Sequence, residues 1–532
     1  MNTITSIVSE VSESDQREYH DAPEKVARED LLTAAKGGSV SFAGRLFEYA
    51  VRFILGIVIA RALGVEQYGL YTLGITVALI ASNVAMLGLQ VGMVRFLPPA
   101  IRQKDAPTIR GILQICVGLP ALVSLVLAAG LFLLASPIAN LVFHDPRLYP
   151  VLCIVSLLIP LETLSFLAYT VTISYKKPQY SVIANNIVVP LAKLILAVAF
   201  LSVGYSTLGV LVAQVVASLI GMWMMLYFVN LLFSLKHLIG YARRNSRQLL
   251  GYSLPAYLGW IVNTVRSSLT TIVLGVVGLT AGVGVFAAAS RFSMIGSMFY
   301  LAIGNISTPI IADLHSNRQS IQMKAYYQTT TRWLLMFNLP VFLTSVLFAK
   351  PLLSIFGDDF TAGATSMMIL AIGTLVYTCT GVGANILDMT YHPKVNTVNS
   401  VFMLFITIAL TFVFVPKQGV VGAAIATSLS TVLVNLVCLI EVWVLLGMHP
   451  YNRSFIKPVI SGLIAALVAF LLFQFLVSST LFIHLVVGAG ALWSVYGLML
   501  FLLKLSPEDR IVIERLLSWF RHKLSIVPEA IR

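Results

Sequence analysis

The chain has 532 residues, 58% of them apolar and 11% charged, where ordinary soluble proteins average about 45–50% and about 25%. With a mean hydropathy of +0.90 and recurring apolar runs, this excludes a water-soluble fold and a disordered or collagen-like polymer. The net charge of +13 would suit nucleic acid or acidic lipid, but most lysines and arginines stand in short turns between apolar runs, so membrane topology accounts for them and no nucleic-acid partner is implied.

In chain order, residues 1–36 come first, with eight acids from Glu10 to Asp30, four basic residues and no apolar core. They are predicted to form a disordered cytoplasmic tail rather than a signal peptide. Charge, glycine and proline punctuation then predicts about fourteen membrane helices, near 39–63, 68–97, 109–135, 149–174, 180–203, 208–235, 251–277, 282–312, 329–349, 363–390, 395–415, 420–447, 456–477 and 481–504. At roughly 20 residues per crossing, no sizeable soluble catalytic domain fits beside them. With the amino terminus inside, fourteen basic residues fall in inner loops and only Arg147, Lys350 and Lys417 in outer ones, which predicts both termini in the cytoplasm. Cys116, Cys153, Cys379 and Cys438 lie within apolar runs without metal-ligand spacing and are expected to be free, buried thiols. After the last span, Ser506-Pro507-Glu508-Asp509 opens an amphipathic stretch that reads as a helix on the inner leaflet.

Three features recur about 210 to 219 residues apart. Ser174-Tyr175-Lys176-Lys177-Pro178 parallels Thr390-Tyr391-His392-Pro393-Lys394, the run from Gly209 parallels that from Gly419, and Tyr68-Gly69-Leu70-Tyr71 parallels Val283-Gly284-Val285-Phe286. A six-helix unit returns to its starting side, so two copies share orientation. The predicted organisation is the tail (1–36), a six-helix lobe (37–235), a cytoplasmic linker (236–250), a second, parallel lobe (251–447), two extra carboxy-terminal helices (448–505) and the tail helix (506–532). A substrate path between the lobes follows from this arrangement.

Charges within spans are costly and mark candidate sites. Arg45, Glu48 and Arg52 share one face of the first helix; Lys193, Arg266 and Arg291 add bases, and Glu162 and Asp388 add acids. Arg52, Lys193 and Arg266 stand 13, 13 and 15 residues beyond their helix starts, so one basic belt is expected near mid-membrane. Arginine stays charged where a buried carboxyl can neutralise, and a positive chamber suits phosphate or pyrophosphate. The alternative is internal pairing, of Arg45 or Arg52 with Glu48 and of Lys193 with Glu162. Arg61, Arg95 and Arg332 read as residues that snorkel to the interface. No GxxxxGK[ST], HExxH or CxxC is present, so neither a metal nor a nucleotide cofactor is implied and the chain does not read as an enzyme.

Leu31 to Pro98, with Gly56-Ile57-Val58-Ile59-Ala60-Arg61-Ala62-Leu63-Gly64 and Gln67-Tyr68-Gly69-Leu70-Tyr71, resembles the opening of Wzx-type polysaccharide-biosynthesis flippases of the multidrug/oligosaccharidyl-lipid/polysaccharide exporter superfamily. Tyr252-Ser253-Leu254-Pro255 through Ala289-Ser290-Arg291 is similar to the repeated unit of that family. The resemblance implies an all-α integral membrane protein that moves an undecaprenyl-pyrophosphate-linked oligosaccharide, such as an O-antigen unit, across the bacterial cytoplasmic membrane by alternating access. It implies membrane lipid and polysaccharide-assembly proteins as partners, and cavity arginines, here Arg45, Arg52 and Arg266, for the pyrophosphate. Lys193 and Arg291 join that set by depth. Glu48, Glu162 and Asp388 are candidates for coupling to a proton or monovalent cation. A multidrug exporter of the same superfamily and a membrane polysaccharide polymerase or ligase are the alternatives; cationic drugs would want an acidic chamber, and an enzyme a longer outer loop.

Overall fold

The computed structural model describes residues 2–234, 240–243, 246–390, 393–475 and 481–503, and side chains from Ser41 onward. The expected helix over 506–532 and part of the 236–250 linker lie outside the described residues. Among those described, the chain is helical throughout, with no strand, as the bilayer demands: only a helix satisfies its own backbone groups where water is absent.

Helix α1 (Asn2–Ala85) bends back at Gly64, whose φ of 75° is open to glycine at little cost. Its first forty residues carry helical backbone, where their acidity predicts a disordered tail; Glu, Ala, Lys and Arg are good helix formers, and a polar helix is as solvated as a coil. After α1 come α2 (Leu89–Arg102), α3 (Ala106–Leu133), α4 (Leu148–Ser174), α5 (Pro178–Ser202) and α6 (Thr207–Leu232). The second half has α7 (Ser246–Val276), α8 (Thr280–Ser316), α9 (Ser320–Leu347), α10 (Ala364–Cys379), α11 (Gly383–Met389) and α12 (Pro393–Leu446), the last broken at Gly419. Helices α13 (Ile456–Phe475) and α14 (Leu481–Leu502) are the last among the described residues.

By length and apolarity, nine helices among the described residues can cross a bilayer, ten if Ser41–Ala85 with Leu89–Arg102 is one span. That tally counts α12 once, yet its 54 residues would measure about 80 Å against a hydrocarbon core of about 30 Å. The break at Gly419 therefore makes it two passes. The all-α membrane fold holds; length and apolarity alone do not reach the expected count of fourteen.

Inner and outer are used here as the basic-residue bias predicts. Near the outer end, one apolar core joins both halves: Tyr68, Leu73 and Leu148 pack with Leu274, Phe286 and Phe360. Toward the inner end it divides. One core gathers Leu97, Ile112, Leu167 and Val171, the other Ile311, Tyr327, Val382 and Ile386. Ile112, Leu167 and Val171 stand 215 positions before Tyr327, Val382 and Ile386, so these are equivalent cores in the two halves. Only the start of α7, through Leu249, crosses into the first of them.

The halves meet reciprocally at two glycines. A Cβ on Gly69 would collide with the carbonyl oxygen of Thr280, and one on Gly284 with that of Val65. Gly284 stands 215 positions after Gly69, and Thr280 the same distance after Val65, so residue and partner exchange roles across the contact as in a two-fold interface. Small residues at this crossing let the two backbones touch.

Candidate functional site

The first-half polar cluster grows from α1. Glu48 and Arg52, one turn apart, form an ion pair at 2.7 Å, and Asn186 Nδ2 donates to the other Glu48 oxygen at 2.8 Å. Asn186 reaches it from a π-helical stretch, Val182–Val188, a distortion that frequently marks functional sites and that residue spacing does not announce. Beside it, Lys193 Nζ lies 3.4 Å from Glu162 Oε1, which also accepts from Ser218 Oγ at 2.8 Å. The Glu162 side chain is 44% accessible and that of Lys193 only 9%, so the carboxylate faces open space and the ammonium stands behind it. For Arg52 and Lys193 the internal-pairing alternative is thus realised.

Arg291 arrives from the second half. Its guanidinium fills the space left by Gly56, where a Cβ would collide with it, and its Nη1 donates to the Arg52 carbonyl at 2.7 Å. It also lies 5.9 Å from the Tyr68 ring, within cation–π range. A second-half guanidinium is therefore seated on the α1 backbone, at the residue whose own side chain pairs with Glu48. Arg45 is exposed and has no carboxylate partner among the described residues.

Arg266 does not join this group. It borders a cavity of about 250 Å³ within the second half, lined mainly by serines and threonines of α7, α8, α10 and α12 with Phe286 and Tyr377. Its Nη2 donates to Asn263 at 2.8 Å, and no carboxylate lines the cavity. The expected single belt is therefore divided: α8 turns Arg291 toward α1 and Ser290, Ser293 and Ser297 into the cavity. Asp388 stands apart near the inner end, where Asn396 Nδ2 donates to both its oxygens at 2.9 and 3.0 Å.

Sequence reasoning missed several of these groups. Glu441, within an apolar run, accepts from Asn399; a scan for every mid-span charge finds it. Ser290, Ser293 and Ser297, at helical spacing, were a legible hydroxyl stripe. Arg332, expected to snorkel, is 2% exposed, because α9 packs it among helices rather than at the interface. Arg95 does lie at a surface, with its guanidinium 4.2 Å from the Tyr252 ring. All four cysteines are free; Cys116 and Cys438 are buried, Cys153 and Cys379 partly so.

At the outer end a charged cluster ties the halves together. Asp145, in the turn before α4, accepts from Arg147 at 3.0 Å through both oxygens and from Thr280 Oγ1 at 3.0 Å. Arg147 also reaches Glu66, beside the Gly64 break, at 2.8 Å. Donation from Arg147, reinforced by Thr280, holds the Asp145 carboxyl below the ordinary carboxylate range despite its burial.

Against known proteins, a polysaccharide biosynthesis protein family model matches residues 34–315 and a MatE model residues 255–413. The probable low-salt glycan biosynthesis flippase Agl15 of Haloferax volcanii is 22% identical over 188 residues, which are 35% of this chain and 40% of that protein; the match thus spans less than half of the relative's length. Among solved structures, lipid II flippase MurJ in an inward closed conformation superposes with a TM-score of 0.69 at 14% identity, covering 87% of this chain and 98% of that one. An inward-facing multidrug resistance MATE family transporter of the MOP superfamily gives 0.64 at 15%, covering 75% and 94%. These two likenesses establish a shared fold. The first family match takes in more than half of the sequence, and the chain belongs to the polysaccharide biosynthesis protein family.

Proposed function

We propose that the protein is a flippase that carries a lipid-linked, pyrophosphate-bearing oligosaccharide from the inner to the outer leaflet by alternating access, in two parallel lobes. The observation that supports this reading is the hydrogen bond from the second-half Arg291 guanidinium to the Arg52 backbone on α1, which sets a permanent positive charge at the seam between the halves. A diphosphate held there touches both halves at once, so their relative movement is felt by the ligand. Arg45, Lys193 and Arg266 add to the positive field. Arg52 and Lys193 are balanced by Glu48 and Glu162, which leaves Arg45, Arg266 and Arg291 without a carboxylate partner among the described residues. Within the same reading, Glu48 and Glu162 are the groups placed for ion coupling, whereas Asp388 lies too near the inner end to meet the ligand at the seam.

The test is flipping of a fluorescent lipid-pyrophosphate-linked sugar by the protein in liposomes. Arg52→Ala and Arg291→Ala, each verified as monodisperse and inserted, are expected to lose at least about tenfold in rate, the effect of removing one charge-assisted contact. Wild-type rates in both would overturn the assignment. The MatE match over residues 255–413 favours multidrug export as the second reading; efflux of a cationic dye, with no movement of the lipid-linked sugar, would select it.

A further inference from the structure

We propose that the cavity beside Arg266 is a docking site for one acidic sugar ring, so that the glycan carried bears a uronate-type sugar within a few residues of its pyrophosphate. This rests on the transport reading above and adds the class of sugar. Size comes first: about 250 Å³ lies below the range of about 300–1,000 Å³ that holds drug-sized ligands, so it admits a ring but not an oligosaccharide.

Polarity comes second. The lining hydroxyls have largely donated their protons to backbone carbonyls of their own helices: Ser267 to Thr264, Ser290 to Phe286, Thr374 to Leu370 and Thr431 to Thr427, at 2.8 to 3.0 Å. A hydroxyl that has spent its donor still offers lone pairs. The wall is therefore a set of acceptors, suited to the hydroxyl donors of a sugar and unfavourable to a bare oxyanion, which has none. Ser293 Oγ is buried without a hydrogen-bond partner and is left for a ligand.

Arg266 supplies the third condition. Among the described residues it uses one hydrogen bond, to Asn263, out of a five-donor inventory, and nothing anionic lines the cavity to neutralise it. A carboxylate on the ring answers the guanidinium while its hydroxyls answer the wall. Location agrees, since Ser290 and Ser293 flank Arg291 on α8. The cavity and the seam thus lie on two sides of one helix, about 10 Å across and within reach of the first few sugars.

The experiment is titration of the full chain in lipid nanodiscs with glucuronate, glucose and inorganic phosphate, read by calorimetry. Glucuronate is expected to bind about tenfold tighter than either of the others, because it alone satisfies both the guanidinium and the acceptor wall. Arg266→Ala should lower it to the glucose level, and Arg266→Lys should retain part of the gain. Equal affinity for glucose and glucuronate, a phosphate affinity matching glucuronate, or full selectivity in folded Arg266→Ala protein would each overturn the proposal. The wild-type comparison needs no variant to fold. A protein that flips lipid-linked sugar without selecting glucuronate overturns this site alone; one that selects glucuronate but flips no lipid-linked sugar keeps the ring site and overturns the transport reading, and with it the inference about the glycan carried.

Discussion

Single side chains account for the division of labour in the polar interior. Arg52 and Lys193 look alike in the sequence to Arg266, yet they are paired with carboxylates and Arg266 is not. Spacing on α1 made the Arg52–Glu48 pair legible, since residues four apart share a face. The separation of Arg266 was not legible, because depth along a helix gives height in the membrane but not the direction a side chain takes around it. The outer cluster offers a pH test at this scale. Arg147 holds the Asp145 carboxyl below its usual range, so the ionised form contributes stability above the unfolded-state value near 3.9. That contribution is lost as pH falls from about 4 through the lower folded value. Asp145→Asn should cost about 1–2 kcal/mol at neutral pH, with Arg147 half in solvent setting the modest size. It should also remove part of the acid-side decline; parallel melting-temperature profiles of the two proteins below pH 5 would contradict this.

Among the elements, the breaks decide the architecture. The apolar runs were plain in the sequence, and the turns at Gly64 and Gly419 fall where the reading ended one helix and began the next. The mutual contact of the two halves was less plain. Tyr68-Gly69-Leu70-Tyr71 and Val283-Gly284-Val285-Phe286 were matched as copies, but that copies touch each other is a fact of assembly that similarity does not carry. Gly69→Ala and Gly284→Ala put a methyl group against a backbone carbonyl that cannot rotate away. The expected penalty is about 1–3 kcal/mol for this packed arrangement. The gain in helix propensity from Ala applies to every conformation of the helix and cancels. Either variant should therefore favour a separated outer end, raising several-fold the labelling of a cysteine placed at Tyr71 by an impermeant maleimide added outside. Unchanged labelling in both would mean the contact is incidental.

For the whole molecule, composition alone was enough for the class, and the positions of basic residues predict an orientation. What the sequence withheld is that the halves share one core outside and keep two inside, since apolar residues are equally apolar in a joined or a divided core. The energetics of transport also belong to this scale. On the proposed function, moving a diphosphate with about two negative charges outward, away from a negative interior, is favoured by about 5 kcal/mol at 100 mV. In liposomes, the outer-to-inner ratio of the labelled lipid should climb with an imposed potential at a slope of two charges and flatten when the potential is clamped at zero. A ratio indifferent to voltage would require another energy source. The reciprocal glycine contact bears on how such a cycle turns. Under the proposed alternating access, backbones that touch at one small crossing would act as a fulcrum, and a rocking of about 15°, as between haemoglobin dimers, over a lever of about 30 Å would swing the far ends by about 8 Å. That is nearly the width of a packed helix, the opening that a lipid headgroup would need to enter between the halves in that step of the proposed cycle.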